Sequence, residues 1–158
     1  MQDDSVYQNI RKLLETGGAD FREMEHPPTH TSEESAEARG EPMRIGGKAL
    51  VLKIGEDFAV FVLSAARKLD SKRVRKYFGL RGIRFASREE LKELTGLEPG
   101  AVPPFGRPVL PFDLYLDRSI LLNERIAFNA GSLTRSIIMD REAYTALAHP
   151  TIFDFSKD

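Results

Sequence analysis

The chain has 158 residues, with 23 basic against 24 acidic side chains and no cysteine. That length allows one domain with one sizeable core, expected as a single domain over 1–158. The missing cysteine excludes disulfides, thiolate metal sites and a cysteine nucleophile, and the balanced charge excludes a polycation, so any nucleic-acid contact must be local.

The N-terminal segment, about 4–16, reads as a helix. Asp3, Asp4 and Ser5 supply acids and a cap before Val6, Ile10, Leu13 and Leu14, and Gly17-Gly18 stops it. Phe21 to Glu25 alternates as a short strand. His26-Pro27-Pro28-Thr29-His30 is a loop, because prolines remove donors and fix φ. Thr31 and Glu34 form a capping box for a short helix ending near Gly40.

Gly46-Gly47-Lys48-Ala49-Leu50-Val51-Leu52-Lys53-Ile54 follows. A short apolar run between glycines reads as a strand, and apolar residues at both parities predict one covered on both faces. Lys48 leaves the glycine pair on the face of Leu50 and Leu52. A lysine at a strand mouth, beside glycines that admit a ligand to the backbone, is a candidate anion site. A snorkelling lysine at a sheet end reads the same from these residues alone.

Gly55-Glu56 turns this strand into Phe58–Leu63 as a hairpin. Asp70 is expected to cap a helix whose outer face is Lys72, Arg73, Arg75 and Lys76, either a solvated face or a nucleic-acid contact. Ile83-Arg84-Phe85 is a short strand. Ser87 and Glu90 form a second capping box, for a helix ending at Gly96. The loop from Glu98 to Gly106 holds three prolines and two glycines. It is specified rather than floppy, as a stiff connector or as a holder of backbone groups for a ligand.

Val109 to Leu116 is strand-like, and Pro111 predicts an edge position or a bulge. Asp117-Arg118 reads as a turn. Asn129-Ala130-Gly131-Ser132 is either a pocket wall or a tight hairpin turn. Asp140 caps a last helix through Tyr144 and Leu147, and Ile152, Phe153 and Phe155 tuck the C-terminus back.

Of the catalytic signatures sought, the nucleophile elbow, P-loop, dinucleotide glycine motif and zincin motif do not occur. The three histidines sit in a proline-rich loop or at a helix end. No metal site and no cofactor are expected, and an enzyme of this composition would work by positioning, with backbone dipoles and one lysine. No signal peptide or membrane span is read, so a cytoplasmic protein is expected.

The order of motifs carries a resemblance. Thr31-x-x-Glu34-x-Ala36 precedes Gly47-Lys48-Ala49-Leu50-Val51. Then come Leu69-Asp70 with the basic helix, Phe85-Ala86-Ser87-x-x-Glu90-Leu91, and Thr95-Gly96-Leu97-Glu98-Pro99-Gly100-Ala101-Val102-Pro103-Pro104-Phe105-Gly106. Phe128-Asn129-Ala130-Gly131 and Asp154-Phe155 complete the set. From about 21 to 158 this resembles the YbaK-like aminoacyl-tRNA deacylases, related to the editing insertion domain of bacterial prolyl-tRNA synthetase.

The resemblance implies an α/β (mixed α+β) domain with a curved mixed β-sheet flanked by helices. It implies a freestanding hydrolase that cleaves the ester between a wrong amino acid and the terminal adenosine, on a tRNA(Pro)-type substrate. It gives Lys48 as the functional lysine, Gly100, Ala101, Val102, Pro103 and Pro104 as the adenosine-contacting loop, and Gly131 as a pocket wall. Arg73 and Lys76 are the expected tRNA contacts. The partners it implies are the tRNA acceptor end and an aminoacyl-tRNA synthetase. A non-catalytic tRNA- or synthetase-binding module of the same fold is the alternative.

Overall fold

The computed structural model describes residues 4–158. Asp3, expected among the acids before the first helix, lies outside them. That helix, α1, runs Ser5–Thr16 and buries Val6, Ile10 and Leu14, one stripe at helical spacing. Asp4 occupies its N-cap position but makes no side-chain cap bond; its carboxylate lies 3.5 Å from Arg135 instead.

Among the described residues there are ten strands: β1 Phe21–Glu25, β2 Gly47–Ile54, β3 Asp57–Ser64, β4 Lys68–Leu69, β5 Arg84–Phe85, β6 Asp113–Leu116, β7 Arg125–Asn129, β8 Arg135–Asp140, β9 Thr151–Ile152 and β10 Ser156–Lys157. The remaining helices are α2 Ser32–Arg39, α3 Ser71–Phe78, α4 Arg88–Thr95 and α5 Arg141–Ala148. The mixed α+β class holds, but the strands divide into sheets. One is five-stranded and mixed, in the order β5-β2-β3-β6-β9. One is three-stranded and antiparallel, β1-β8-β7, and β10 pairs with β4. Gly46, bridged to Ala127, ties the two larger sheets together where β2 begins.

The five-stranded sheet is buried on both faces, as the two parities of β2 require. Val51, Val60 and Val62 face the main core, with α1, α4 and the β7–β8 hairpin. Leu52, Ala59, Phe61 and Leu63 face a second cluster closed by Val74 of α3 and by Phe155. β2 and β3 pair along their whole length, with Ile54 opposite Asp57 across the Gly55-Glu56 turn. Gly55 there has φ +64°, the left-handed region that glycine enters without a Cβ penalty.

Three local expectations are corrected. The segment 109–116 does not run as one strand, and β6 is not an edge. It starts at Asp113 and lies between β3 and β9, parallel to both. Pro111 cannot donate to a ladder, so pairing begins two residues after it. Asp117-Arg118 opens a 3-10 helix, Arg118–Leu122, rather than a simple turn, with the Asp117 carboxylate accepting from Ser119 N–H. Asp70 stands at the α3 N-cap without a side-chain cap bond, its carboxylate 3.5 Å from Arg73. Both capping boxes are present as read, Thr31 with Glu34 and Ser87 with Glu90.

Candidate active site

A cavity of about 190 Å³ opens where α2, the start of β2 and the proline-rich loop converge. That is below the ~300 Å³ of the smallest drug-sized ligand sites, and it suits a small group. Its lining includes Thr29, Ser35 and Arg39, Gly46 to Leu50, and Gly100, Val102 and Asn129.

α2 is held from outside. The Thr31 hydroxyl accepts from Glu34 N–H, and the Glu34 carboxylate accepts from the N–H groups of His30 and Thr31. Four residues apart on one face, α2 buries Ser35 and Arg39, both polar. Thr29 and Ser35 share a buried hydroxyl–hydroxyl bond of 2.8 Å.

Lys48 is half-buried, and its ammonium donates to the Arg67 carbonyl at 2.7 Å. An ammonium has three donors, so two remain for the cavity. Burial pushes the Lys48 pKa below its ordinary value, and the charge of Glu33 opposes that shift. Arg39 is only 8% exposed. Its Nε donates to Ser136 Oγ at 3.0 Å and its Nη2 to Asn129 Oδ1 at 2.9 Å. Burial pulls its pKa down to about 10, with no opposing contribution from any acid. Two cations without a dedicated acid thus border one small cavity, an arrangement that favours an anionic or strongly accepting ligand.

The predicted site residues do not all meet there. Lys48, Gly100 and Val102 line the cavity. Ala101, Pro103 and Pro104 are buried behind it, and the Pro104 carbonyl accepts from the buried Tyr144 hydroxyl at 2.5 Å. Gly131 sits elsewhere: it has φ +73°, and a Cβ there would lie 2.9 Å from Val6 of α1. It belongs to the β7–β8 hairpin loop packed on the first helix, not to the residues lining this cavity.

Arg73 and Lys76 are exposed on α3 and do not line the cavity either. Asp70, which opens α3, follows Arg67 by three residues. The start of α3 is therefore no more than ~11 Å along the chain from the carbonyl that holds Lys48.

The sequence does not select Thr29, Ser35 or Arg39, and marks Asn129 only as part of a stretch that is either a pocket wall or a hairpin turn. One signal is available: α2, Ser-Glu-Glu-Ser-Ala-Glu-Ala-Arg, is firmly capped but has almost no apolar stripe to bury. Such a helix must pack with a polar face, and that face becomes a site wall. Among the described residues no cluster of His, Asp and Glu is placed to hold a metal, and no helix is long and apolar enough to cross a membrane.

The model of the aminoacyl-tRNA editing domain matches residues 26–147. The chain belongs to that family, and so to the hydrolases that deacylate aminoacyl-tRNA.

Among its relatives is the multifunctional Ser/Thr-tRNA deacylase ProXp-y of Escherichia coli K12, 35% identical over 160 residues, covering 96% of this chain and 93% of that protein. The proline–tRNA ligase of Shouchella clausii is 33% identical over 105 residues, which cover 66% of this chain and 18% of the ligase. A solved structure described as a candidate trans-editing enzyme for prolyl tRNA synthetase superposes with a TM-score of 0.84 at 27% identity, covering both chains completely.

Proposed function

We propose that this chain acts as a freestanding editing domain on a tRNA(Pro)-type substrate carrying a small hydroxylated amino acid, serine or threonine. The observation that carries this reading is the meeting of Lys48 with Gly100 and Val102 in the lining of one small cavity. The paired Thr29 and Ser35 hydroxyls support a polar side chain in the substrate, and the named specificity of the Escherichia coli relative agrees.

The chemistry asks little of the protein. An aminoacyl ester is already activated. Water adds to its carbonyl carbon, the bond to the ribose oxygen breaks, and that oxygen takes the proton, leaving free amino acid and tRNA. In this reading Lys48 acts as a fixed point charge on the acceptor end or on the negative oxygen that develops at the carbonyl. Its bond to Arg67 holds it in place before substrate arrives.

Gly100 to Pro104 would present backbone groups to the terminal adenosine. The body of the tRNA would extend over α3, where Lys72, Arg73 and Lys76 are exposed. The near-neutral chain then grips only the acceptor end, alone or alongside a synthetase.

The test is incubation with tRNA(Pro) charged in turn with serine, threonine, alanine, cysteine and proline, following release of free amino acid. Release of serine and threonine well above the others is expected. Binding of charged tRNA without release of any amino acid would make the chain a non-catalytic module.

A further inference from the structure

The cavity wall is held by one connected set of side chains on three elements. Asn129, at the end of β7, donates from Nδ2 to the Gly100 carbonyl at 2.7 Å. Its Oδ1 accepts from Arg39 Nη2 at 2.9 Å and lies 3.3 Å from Ser136 Oγ. Ser136, its partner across the β7–β8 ladder, accepts from Arg39 Nε at 3.0 Å. Beyond it, His26 Nε2 is 2.8 Å from Ser136 Oγ, and His26 Nδ1 donates to the Pro27 carbonyl at 3.0 Å, since a carbonyl can only accept.

Arg39 is the one member that touches both hydroxyl and amide. An amide can rotate so that its oxygen and nitrogen exchange places, but the Gly100 carbonyl can only accept, so the bond to it exists only with the NH₂ facing Gly100. With Arg39, a pure donor, on one side, the oxygen must face Arg39 and the NH₂ must face Gly100. The guanidinium thus holds the amide in the one orientation that lets it anchor the loop. It does so from a buried position where the charge is costly and no acid repays it. A purely structural role would be served as well by an apolar side chain of the same size.

We propose that Arg39 is a positioning residue for the reaction. Through Asn129 it locks the Gly100 carbonyl, and with it the loop 100–104, in the orientation that receives the acceptor end. This rests on the assignment of that loop to substrate binding, but its physical core, the clamp on the loop, can be measured without the reaction.

Two variants separate the clamp from the fold. Arg39→Lys keeps the charge and loses the fork. Asn129→Asp keeps an acceptor for Arg39, now as an ion pair, and loses the donor to Gly100. Amide hydrogen exchange is read at Ala101 and Phe105, whose N–H groups are bonded to Glu98 and Pro103 within the loop. Both variants are expected to exchange about tenfold faster at those two amides, with β3 unchanged, and to raise the KM for seryl-tRNA(Pro) about tenfold with kcat nearly kept, the effect of ~1.4 kcal/mol.

Combining the two substitutions should add little to the larger single effect, because both act on one bond. Unchanged loop exchange in both variants overturns the proposal, whatever the activity. Faster exchange in a protein whose wild type releases no amino acid would keep the clamp and remove the substrate assignment. Loss of activity only in proportion to a lowered melting temperature would make Arg39 structural.

Discussion

Two buried charges in this molecule stand in different places and serve different ends. Asp117, 2% exposed, sits between the sheet and the C-terminus. Its carboxylate accepts from Ser119 N–H, Phe155 N–H, Ser156 N–H and the Ser156 hydroxyl, at 2.6 to 3.0 Å. Every donor comes from the chain itself, and the result is a knot that fixes β10 and Phe155 on the core. Arg39 is also buried and also bonded to neutral groups of the chain, Ser136 and Asn129, but it borders a cavity. A buried charge satisfied by the chain holds the fold. One that borders an opening and holds its wall serves what enters the opening.

The largest effect expected is on the structural charge. Asp117→Ala strands four buried donors and should cost about 3 kcal/mol or more in urea unfolding. Activity per folded molecule should be kept. Burial pushes the Asp117 pKa up, but the bonds from Ser119, Phe155 and Ser156 together hold it below its usual value. Its stabilisation is therefore present above the unfolded pKa, ~3.9, and lost as pH falls through the folded one. The gap between wild type and Asp117→Ala should close on acidification.

Next is Tyr144→Phe, which removes the donor to the buried Pro104 carbonyl. It should cost ~1–3 kcal/mol, the penalty for an unsatisfied buried acceptor, and should raise KM by loosening the loop from behind. An unchanged KM would place the site's support in Asn129 alone. Gly100→Val is a poor probe of the same loop, because φ +89° strains any side chain there before substrate is considered.

Reversing Arg73 and Lys76 to Glu should leave melting unaltered and weaken tRNA binding. The salt slope should become shallower by ~0.7–0.9 for each phosphate that the helix no longer neutralises. No change would make α3 a solvated face.

The smallest effect is at the second capping box. Arg84, then Ser87, hold the Glu90 pKa down from 4.5 to about 2. Its contribution is present above the unfolded value and fades as pH falls from 4.5 toward 2. Glu90→Gln should flatten the acid limb of the stability profile over that window and nothing else, as followed by circular dichroism.

Much of this is legible in the chain, and the reasons differ by residue. The strand Gly47–Ile54, the hairpin and both capping boxes are local, set by glycine, parity and a three-residue spacing. Lys48 is visible as a polar residue at an apolar strand's mouth. The Asp117 knot is not, because its donors lie up to 39 residues away and only the returning C-terminus brings them near. Arg39 and Asn129 are 90 residues apart and meet only when α2 packs on the β7–β8 hairpin. The small residues 129–132 read as either a pocket wall or a hairpin turn; Asn129 lines the cavity, while Gly131 lies in the hairpin loop close to Val6 of α1. Pro111 reads as an edge signal, when it marks only where pairing starts.

The central claim, that the cavity at the mouth of β2 is where the ester is broken, is tested most directly by Lys48→Ala in single-turnover deacylation of seryl-tRNA(Pro) with thermal melting alongside. Lys53→Ala, whose ammonium lies over the Phe58 ring 5.9 Å away, is the control. The expected result is a rate lowered by about 100-fold, the usual loss when one fixed electrostatic group is removed. The melting temperature of Lys48→Ala should be within a degree or so of wild type, and the control should be fully active. A Lys48→Ala rate equal to wild type would contradict the account and move the chemistry out of this cavity.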